Sequence, residues 1–330
     1  MKQFLDNYDT VIFDMDGVIT SENTYWDVAA LTVDELIKSK NYFGEHEYNT
    51  QAAEAQVKDI RNRIFANDAL ISALKNKGIN SNWDLAYVTF LISVITGSDD
   101  GVKLLEYTDA LDVEVLDDYT DLEFAAQKNG SVRCAGLRDR IVSCFQEWIL
   151  GDTAFYKVYG KNPVQQGKTG LLYGEKPLFD ISDIKAMLSE LSQTKRLCIG
   201  TGRPESEIVP LLEKWGILSY FDSRGIGTYN AVSSAQERFS LTLSKPHPYI
   251  FLKALLGTDY PDEDIIGGNF DKTIVERVLV VGDAGADLFA AGAMGADFCA
   301  VLTGVKKEAA RGFFTEHNAG YILNSVCDLI

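Results

Sequence analysis

The stretch that decides the fold reads Thr10-Val11-Ile12-Phe13-Asp14-Met15-Asp16-Gly17-Val18-Ile19-Thr20. Its apolar, β-branched start predicts a buried strand, which ends in two carboxylates and a glycine that permits a sharp exit. The pattern places Asp14 at the carboxyl end of the strand and Asp16 just beyond it, at the edge where open α/β sheets bind their ligands. A strand-to-loop turn that is simply rich in Asp explains the same residues without a function.

Further strands of this kind follow only after about residue 175. Short apolar runs predict strands over Arg196–Gly200, 277–283, 298–302 and Tyr321–Leu323. Apolar residues at helical spacing after Pro204, and a glycine at position 216, predict a helix behind the second strand. This alternation of strands and helices predicts an α/β protein with a Rossmann-like, doubly wound parallel sheet.

Residues 21–174 show helical rather than strand patterns. Helices are predicted over 24–40, 50–77, 83–96 and 136–151. Turns are predicted at 76–82 and 97–101 from their Gly, Asn, Asp and Ser content, whereas 109–130 favours no element. The chain therefore divides into an α/β core domain, residues 1–20 and 175–330, and a mainly α-helical domain inserted at 21–174.

The charge of the chain limits its partners. Its 330 residues include 48 acidic and 31 basic ones, for a net charge of −17. Proteins that bind nucleic acid or an anionic membrane need a basic face, so this balance argues against both. An anionic substrate remains compatible with it, because a metal ion or a few convergent cations reverse the local field.

Cysteine usage and hydropathy indicate the compartment. Five widely spaced cysteines without a CxxC pair argue against a disulfide framework or a zinc site and favour a reducing environment. Cys198 and Cys299 lie in apolar runs and are predicted core residues. The first residues lack the apolar stretch of a signal peptide, and the most apolar window, 85–95, is shorter than the roughly 20 residues of a membrane helix. We expect a soluble, cytoplasmic protein.

Four groups of polar residues are predicted at the carboxyl ends of strands in one sheet. They are Asp14 with Asp16, Thr201 with Gly202, Lys245, and Asp283 with Asp287. Two like charges about 4 Å apart repel by roughly 4 kcal/mol at an effective dielectric constant of about 20, so gathered acids need protons or a cation. Oxygen ligands without a His or Cys cluster favour a hard ion, and Mg²⁺ is the natural candidate. A solvated acidic rim is the alternative.

The cationic and hydroxyl groups each have two interpretations. Thr201 and Gly202 offer a hydroxyl and backbone amides ahead of a helix, which suits a phosphate, although plain capping by Thr201 fits as well. Prolines at 246 and 248 restrict the loop that carries Lys245 and favour a fixed position for it, whereas a surface lysine is the alternative. His247 is interpreted as a loop residue rather than a catalytic base.

In this order, the motifs resemble those of the haloacid dehalogenase superfamily of hydrolases, in its large phosphatase branch. The resemblance covers the core domain, roughly half of the chain. It rests on Asp14-Met15-Asp16-Gly17-Val18, on Thr201 after a strand, on Lys245-Pro246 and on Gly282-Asp283-Ala284-Gly285-Ala286-Asp287.

The resemblance implies a role for the carboxylates. Asp14 would attack phosphorus and carry the phosphoryl group as an aspartyl-phosphate. Asp16 would protonate the leaving alcohol and then activate the water that hydrolyses this intermediate. Mg²⁺ would be held by the Asp14 carboxylate, the Asp16 backbone carbonyl and the Asp283 side chain.

The resemblance also implies how the phosphoryl group is held. Thr201, Gly202 and Lys245 would bind it, and Lys245 would keep Asp14 ionised. Asp287 would orient Lys245 or a water on the metal. These parts supply positioning and charge neutralisation, which do most of the work in phosphoryl transfer.

An acid at position 16 distinguishes branches of the superfamily. Dehalogenases and phosphonate-cleaving members lack it, so the resemblance implies a phosphoester substrate. The related mutases carry Thr and His where this chain has Glu22 and Trp26. The favoured function is hydrolysis of a small phosphorylated metabolite, a sugar phosphate or phosphoglycolate-like compound. A phosphotransferase or phosphomutase on the same fold, and a non-catalytic metabolite-binding protein, stay open.

By the same resemblance the inserted helical domain is a cap that excludes water from the site. It is longer than the family's usual helical cap, so specificity residues do not transfer. Arg203, beside the phosphate loop, and Lys176, at the cap return, are the candidates for substrate contacts. The other cations considered, interpreted as solvated surface residues, are Arg61, Arg63, Arg133, Arg138 and Lys168. Window 85–95 is predicted to be a buried helix of the cap, and a homodimer through the cap stays open.

Overall fold

The computed structural model describes residues 2–116, 118–129 and 132–330. Within these ranges the chain forms two compact units. Of the described residues, those up to Ser21 and from Lys176 to Ile330 form the core unit, and those between Glu22 and Glu175 form the helical unit. Each boundary lies one residue from the position expected from sequence.

The core unit is built on one parallel sheet of six strands. The strands are β1 (Thr10–Phe13), β2 (Arg196–Gly200), β3 (Ile226–Gly227), β4 (Val278–Gly282), β5 (Asp297–Val301) and β6 (Tyr321–Leu323). Their order is β3-β2-β1-β4-β5-β6, so the direction of winding reverses between β1 and β4. Such a reversal opens a crevice at the carboxyl ends of the two strands. The prediction of a Rossmann-like, doubly wound parallel sheet is confirmed.

The helical unit contains eight α-helices in its described residues. They are α1 (Asn23–Lys38), α2 (Thr50–Ala55), α3 (Val57–Phe65), α4 (Ala69–Asn76), α5 (Asn82–Thr96), α6 (Gly101–Asp109), α7 (Thr120–Asn129) and α8 (Leu137–Tyr159). A short 3-10 helix follows at Leu171–Gly174. Of the segment 109–130 that favoured no element, Asp117 and Gly130 lie outside the described residues, and α7 occupies most of its second half.

Seven further α-helices lie in the described part of the core unit. They are α9 (Ile181–Leu191), α10 (Glu205–Trp215), α11 (Tyr229–Phe239), α12 (Tyr249–Leu256), α13 (Asp262–Gly267), α14 (Gly285–Met294) and α15 (Arg311–Glu316). Helix α10 begins after Pro204 and ends at Gly216, whose φ of 64° is left-handed, as its sequence predicts. The unit also has short 3-10 helices at Gln3–Asn7, Leu218–Tyr220, Lys272–Val275, Lys307–Ala310 and Val326–Leu329.

Burial of the central strands explains their apolar sequences. Every residue of β1 and β4 is buried, and Ile12 and Val280 are fully enclosed beside Phe251 of α12. Strands covered on both faces need continuous apolar runs rather than alternation. Cys198 and Cys299 are buried in β2 and β5, which confirms their prediction as core residues, and both are free thiols.

The prediction of a single helix over 50–77 is wrong, because the structure has the three helices α2, α3 and α4 there. Ala66, Asn67 and Asp68 adopt positive φ angles of 48°, 53° and 72° and end the helical path after α3. Asn and Asp tolerate this left-handed region better than most residues. The carboxylate of Asp68 then receives two hydrogen bonds from the Arg61 guanidinium, at 2.7 and 2.6 Å. The break is therefore supported by a contact that helical periodicity does not reveal.

The helix predicted over 136–151 continues to Tyr159 with an interruption at Gly151, where φ is 74° and ψ is 166°. A Cβ atom at this position would lie 2.6 Å from the carbonyl of Thr169. The close approach of the 168–170 segment therefore requires glycine here.

The apolar window 85–95 lies in α5, whose residues from Leu85 to Ser93 are buried, so the prediction of a buried helix is confirmed. No single helix in the described ranges is long and apolar enough to cross a membrane. Among the helices of the described ranges, one pair, α5 and α6, reaches that length and hydropathy together, but it is bent by 95°.

Candidate active site

The loop after β1 carries the first two carboxylates. The backbone N–H of Asp14 still donates to Val281 O of β4, at 2.9 Å, so Asp14 is fixed by the sheet. Gly17 then turns the chain with a φ of 75°, and the carbonyl of Met15 accepts hydrogen bonds from the N–H groups of the next turn, 18–20. The side chain of Asp14 is 11% exposed, whereas that of Asp16 is 24% exposed.

Lys245 joins this loop to the one that follows β4. Its Nζ lies 2.8 Å from Oδ1 of Asp14 and 2.8 Å from Oδ1 of Asp287. Asp287 occupies the first turn of α14, is 1% exposed, and also accepts from the N–H of Ala284 at 3.3 Å. The ammonium of Lys245 packs over the ring of Phe251, 4.6 Å from its centroid. Lys245 is thus held inside the core unit and is not a surface residue.

Asp283 completes a cluster of three carboxylates. One oxygen from each of Asp14, Asp283 and Asp287 lies within 4.8 Å of the other two. The Asp283 carboxylate packs against the backbone of Gly17 and Gly304, where an added Cβ atom would overlap it. Both glycines are therefore required by the close approach of this side chain.

Sequence reasoning missed the loop after β5. Thr303 donates its hydroxyl to the carbonyl of Gly17, and Gly304 makes room for Asp283. The signal was present, because Thr303-Gly304 follows a strand in the same manner as Thr201-Gly202. Since the carboxyl ends of parallel strands share one edge, a further loop at that edge was to be expected.

Burial and charge oppose each other at the centre of the site. Burial raises the pKa of the Asp14 carboxyl to about 7. The negative charge of Asp287 also raises this pKa, whereas the positive charge of Lys245 lowers it. Burial alone would lower the pKa of Lys245, but the charges of Asp14 and Asp287 hold it above its usual range. Lys245 is therefore a permanent cation, while ionisation of Asp14 depends on what further positive charge is near.

The donor set fits a magnesium ion. Lys245 pairs with two of the three grouped carboxylates, so the cluster contains more acidic than basic side chains in a largely buried place. The grouped ligands are all oxygen atoms, the type that hard divalent cations prefer. The Asp16 side chain is not part of this group and pairs elsewhere, which is compatible with the backbone-carbonyl role that the resemblance implies for it.

Asp16 pairs with Arg203. The guanidinium donates from Nη2 to Oδ1 at 2.6 Å, and from Nε to Oδ1 and Oδ2 at 3.0 and 3.2 Å. The hydroxyl of Thr20 donates to the same Oδ1 at 2.9 Å. Arg203 is 1% exposed and Thr20 is fully buried. Arg203, which the sequence suggested as a substrate contact, therefore pairs with Asp16. Neither this ion pair nor the hydrogen bond from Thr20 to Asp16 was predicted from sequence.

The loop after β2 contains Thr201 and Gly202. Thr201 is buried and its hydroxyl accepts a hydrogen bond from the N–H of Arg203 at 3.1 Å, whereas Gly202 is exposed. Its backbone amide lies just ahead of α10, which begins at Glu205. Helix α10 has Pro204 at its N-cap position and no side-chain cap, so the alternative of capping by Thr201 is wrong, and the Thr201 hydroxyl instead supports the turn ahead of the helix. The exposed Gly202 offers its backbone amide to a phosphate.

His247 has a local structural role. Its Nδ1 accepts a hydrogen bond from the N–H of Tyr249 at 3.1 Å, at the start of α12. Burial lowers the pKa of this imidazole, which favours the neutral acceptor form. This contact agrees with its interpretation as a loop residue.

The cations of the helical unit are mostly paired. The interpretation of solvated surface residues is wrong for Arg61 and Lys168, which are 5% and 3% exposed and pair with buried or half-buried carboxylates. Arg63 pairs with Asp34 and Asp99, and Arg138 pairs with Asp84. Arg133 is exposed, as is Lys176 of the core unit.

Comparisons with known proteins complement this geometry. A sequence profile of the haloacid dehalogenase-like hydrolases matches residues 8–295. An X-ray structure solved as a target of the Northeast Structural Genomics Consortium is 31% identical, with 97% of each chain covered and a TM-score of 0.77. A haloacid dehalogenase-like hydrolase from Streptococcus pneumoniae is 13% identical over 98% of this chain and 97% of its own, with a TM-score of 0.47. The comparison with curated proteins gives no significant match.

Proposed function

The chain belongs to the haloacid dehalogenase-like hydrolases, and on that premise we propose that it is a Mg²⁺-dependent phosphomonoesterase acting through an aspartyl-phosphate. The observation that carries the proposal is the contact of Lys245 with both Asp14 and Asp287 beside a third carboxylate, Asp283. A buried nucleophile next to a fixed cation suits phosphoryl transfer through a carboxylate, and the further acids offer oxygen ligands to a cation that neutralises the anionic substrate.

In the first half of the reaction, a carboxylate oxygen of Asp14 attacks phosphorus. An Asp14–phosphorus bond forms while the bond from phosphorus to the ester oxygen breaks. Asp16 gives its proton to the departing oxygen, which leaves as an alcohol. The greater exposure of the Asp16 side chain, 24% against 11% for Asp14, is consistent with a group that meets the leaving part of the substrate.

In the second half, water replaces the enzyme oxygen on phosphorus. Asp16, now ionised, takes a proton from the water, and the bond from phosphorus to Asp14 breaks as inorganic phosphate is released. Lys245 remains beside Asp14 throughout and stabilises the carboxylate when it leaves.

The phosphoryl oxygens need positive groups around them. Lys245, the hydroxyl of Thr201 and the exposed amide of Gly202 are the candidates in the core unit. The carboxylates of Asp14 and Asp283, with the backbone carbonyl of Asp16, would hold Mg²⁺. When bound, this ion neutralises negative charge on the phosphoryl group and on the carboxylates.

The substrate class is a small phosphorylated metabolite, such as a sugar phosphate or a phosphoglycolate-like compound. In this proposal the helical insertion serves as the cap that excludes water from the site, the role that the family resemblance implies for it. Lys176, which is exposed in the core unit, remains a candidate for the non-reacting end of the substrate.

The test is release of inorganic phosphate with and without Mg²⁺. The substrates are para-nitrophenyl phosphate and a panel of natural monoesters that includes phosphoglycolate, glycerol phosphates and hexose phosphates. Wild type is compared with Asp14→Asn and with Asp9→Asn, a matched change at the other end of β1, where Asp9 pairs with Arg277 at the surface. We expect turnover that needs Mg²⁺, is lost in Asp14→Asn and persists in Asp9→Asn.

Two results would contradict the proposal. Turnover that survives Asp14→Asn and Asp14→Ala would exclude this residue as the nucleophile. Transfer of the phosphoryl group to a second organic hydroxyl, without release of inorganic phosphate, would replace hydrolysis by phosphotransfer. Trapping of phosphate on the protein, lost in Asp14→Asn, measures the intermediate directly.

A further inference from the structure

The contacts of Asp16 distribute unequally between its two oxygens. Oδ1 accepts from Nη2 and Nε of Arg203, at 2.6 and 3.0 Å, and from the Thr20 hydroxyl at 2.9 Å. The described contact of Oδ2 is the longer one to Nε of Arg203, at 3.2 Å. A carboxylate oxygen has two lone pairs, so Oδ1 is saturated by these donors and a proton on Asp16 belongs on Oδ2.

We propose that Arg203, assisted by Thr20, is a positioning residue that fixes Asp16 with Oδ2 as the oxygen that carries the transferred proton. The inference rests on the proposed function, since it assigns a task to the acid and base of that reaction. It differs from the sequence expectation, in which Arg203 contacts the substrate.

Exposure separates positioning from substrate contact. The side chain of Arg203 is 1% exposed and that of Asp16 is 24% exposed, so Asp16 is accessible to a ligand and the guanidinium is not. The backbone of Arg203 is fixed as well, because its N–H donates to Thr201 at 3.1 Å and its carbonyl accepts from Tyr229 at 2.9 Å. Because Arg203 is fixed in this way, its guanidinium restricts the orientation of the Asp16 carboxyl group that it binds.

The chemistry explains why a fixed Oδ2 matters. Proton transfer requires the donor oxygen to lie within hydrogen-bond distance of the ester oxygen in the first half of the reaction, and of the water in the second. A carboxyl group that rotates freely presents either oxygen in many directions. Two-point binding by a planar guanidinium removes that freedom, which a lysine ammonium does not reproduce.

The experiment compares two leaving groups. An aryl ester, para-nitrophenyl phosphate, releases a weakly basic oxygen that needs little protonation, whereas an alkyl phosphate from the panel releases a strongly basic one. Single-turnover and burst kinetics are measured for wild type, Asp16→Asn, Arg203→Gln, Arg203→Lys and Thr20→Val. The double variant of Asp16→Asn with Arg203→Gln tests whether the two residues act as a unit.

We expect Arg203→Gln to slow cleavage of the alkyl ester by about 100-fold or more, the usual contribution of general acid catalysis. Single-turnover cleavage of the aryl ester should change by less than about tenfold, with a burst of para-nitrophenol before slow turnover. Because slow hydrolysis of the intermediate lowers KM together with kcat, KM should not rise. Arg203→Lys should recover part of the loss, and the double variant should be no slower than Asp16→Asn alone.

A second readout does not depend on activity. In crystals of the metal-free protein, the Asp16 side chain should keep its rotamer in wild type and leave it in Arg203→Gln. If that variant does not fold, Thr20→Val removes a donor to the same Oδ1 and should give a smaller effect of the same kind. The control is Arg196→Gln, which breaks the pair of Arg196 with Asp222, 2.5 Å apart, and should leave the ratio of the two esters unchanged.

Equal losses on both esters, or a loss confined to KM, would overturn the positioning role while leaving the proposed function intact. A further loss in the double variant relative to Asp16→Asn would do the same. Absence of Asp14-dependent turnover in wild type would instead overturn the proposed function and this inference with it.

Discussion

Two lysines of this chain each bind a pair of carboxylates, one in the core unit and one in the helical unit. Lys245 lies 2.8 Å from both Asp14 and Asp287. Lys168 lies 2.8 Å from Glu35 and 2.6 Å from Glu147. The distances match, so the difference between the two clusters must come from their surroundings.

The core cluster is open and has an excess of negative charge. The side chains of Lys245 and Asp14 are 13% and 11% exposed, and the third carboxylate, Asp283, joins them. Asp14 and Asp283 directly follow β1 and β4, and Lys245 lies in the loop between α11 and α12, so loops present all three side chains. Such a cluster has room for a ligand and a reason to bind a cation.

The helical cluster is closed and contains two carboxylates rather than three. The side chains of Lys168 and Glu35 are 0% exposed and that of Glu147 is 1% exposed. Burial raises the pKa of Glu35 above its usual value, although the positive charge of Lys168 opposes this shift. The Cys144 thiol donates a hydrogen bond to Oε2 of Glu35 at 3.4 Å. Burial therefore favours the neutral form of the Glu35 carboxyl, which reduces the negative charge that Lys168 has to balance. The comparison teaches that access and charge balance, rather than ion-pair distance, separate a candidate reactive cluster from an internal one.

The largest effect should come from removing the lysine of the open cluster. Lys245→Met takes away the cation beside Asp14 and the proposed contact with the phosphoryl group, so kcat/KM should fall by about 10³-fold. Steady-state phosphate release from the best panel substrate measures it. The matched control is Lys253→Met, a buried lysine of the same unit that pairs with Asp262 at 2.6 Å. A similar loss in both variants would assign the effect to stability rather than to the site.

The matching change in the closed cluster should act on stability. Lys168→Met leaves Glu35 and Glu147 buried without their cation, a defect that typically costs about 3–5 kcal/mol of unfolding free energy. Urea unfolding at neutral pH measures it, and kcat of the folded fraction should change little. Adding Glu35→Gln and Glu147→Gln to Lys168→Met should restore most of the stability, because no uncompensated charge remains. A stable single variant would show that water or rearrangement already compensates the two acids.

The sequence predicts the open cluster far better than the closed one. Strand β2 was predicted with its observed bounds, because a buried apolar run that ends at glycine has few alternatives. Once the sheet is parallel, the ends of its strands meet at one edge, so residues near positions 14 and 283 are expected to lie together. The prediction of a strand end was wrong for Lys245, which reaches the same edge from the loop between α11 and α12. Topology converts short local motifs into a shared site.

The contacts that were missed depend on side-chain direction. Nothing in Thr201-Gly202-Arg203 indicates that the guanidinium turns to Asp16, since the chain separation is 187 residues. Lys168 lies in a polar stretch and reads as a surface residue, but its partners come from α1 and α8, so only tertiary packing buries it. The helix break at 66–68 likewise depends on Arg61 reaching Asp68. Periodicity describes which face of an element is buried and says little about which polar pairs accompany it.

The stabilisation of the folded protein by Mg²⁺ should depend on the open cluster and not on the closed one, and this effect is smaller than the two above. If Asp14 and Asp283 hold the ion, Mg²⁺ at about 100 times its Kd should stabilise the folded protein by about 2.7 kcal/mol and raise Tm. Asp283→Asn should abolish the shift, whereas Glu147→Gln, in the closed cluster, should lower Tm and keep the shift. Thermal unfolding with Mg²⁺ and with a chelator measures both. A Mg²⁺ shift that persists in Asp283→Asn would place the ion elsewhere.

The smallest effect is a pH dependence of stability that belongs to the closed cluster. Because burial raises the pKa of Glu35 from its model-compound value of 4.5, the folded protein keeps a proton there that the unfolded chain releases. Stability from this proton is therefore complete below pH 4.5 and is lost as the pH rises towards the folded-state pKa. The slope is at most about 1.4 kcal/mol per pH unit for one proton.

Glu35→Gln removes this titration while keeping a neutral side chain next to Lys168, Glu147 and Cys144. The unfolding free energy of the variant, relative to wild type, should then increase with pH across that window. Urea unfolding at several pH values between about 5 and 8 measures the difference. A difference that stays constant would mean that Glu35 is ionised in the folded protein. In that case protonation of Glu35 does not separate the two clusters, and the difference rests on access and on the third carboxylate, Asp283, of the open cluster.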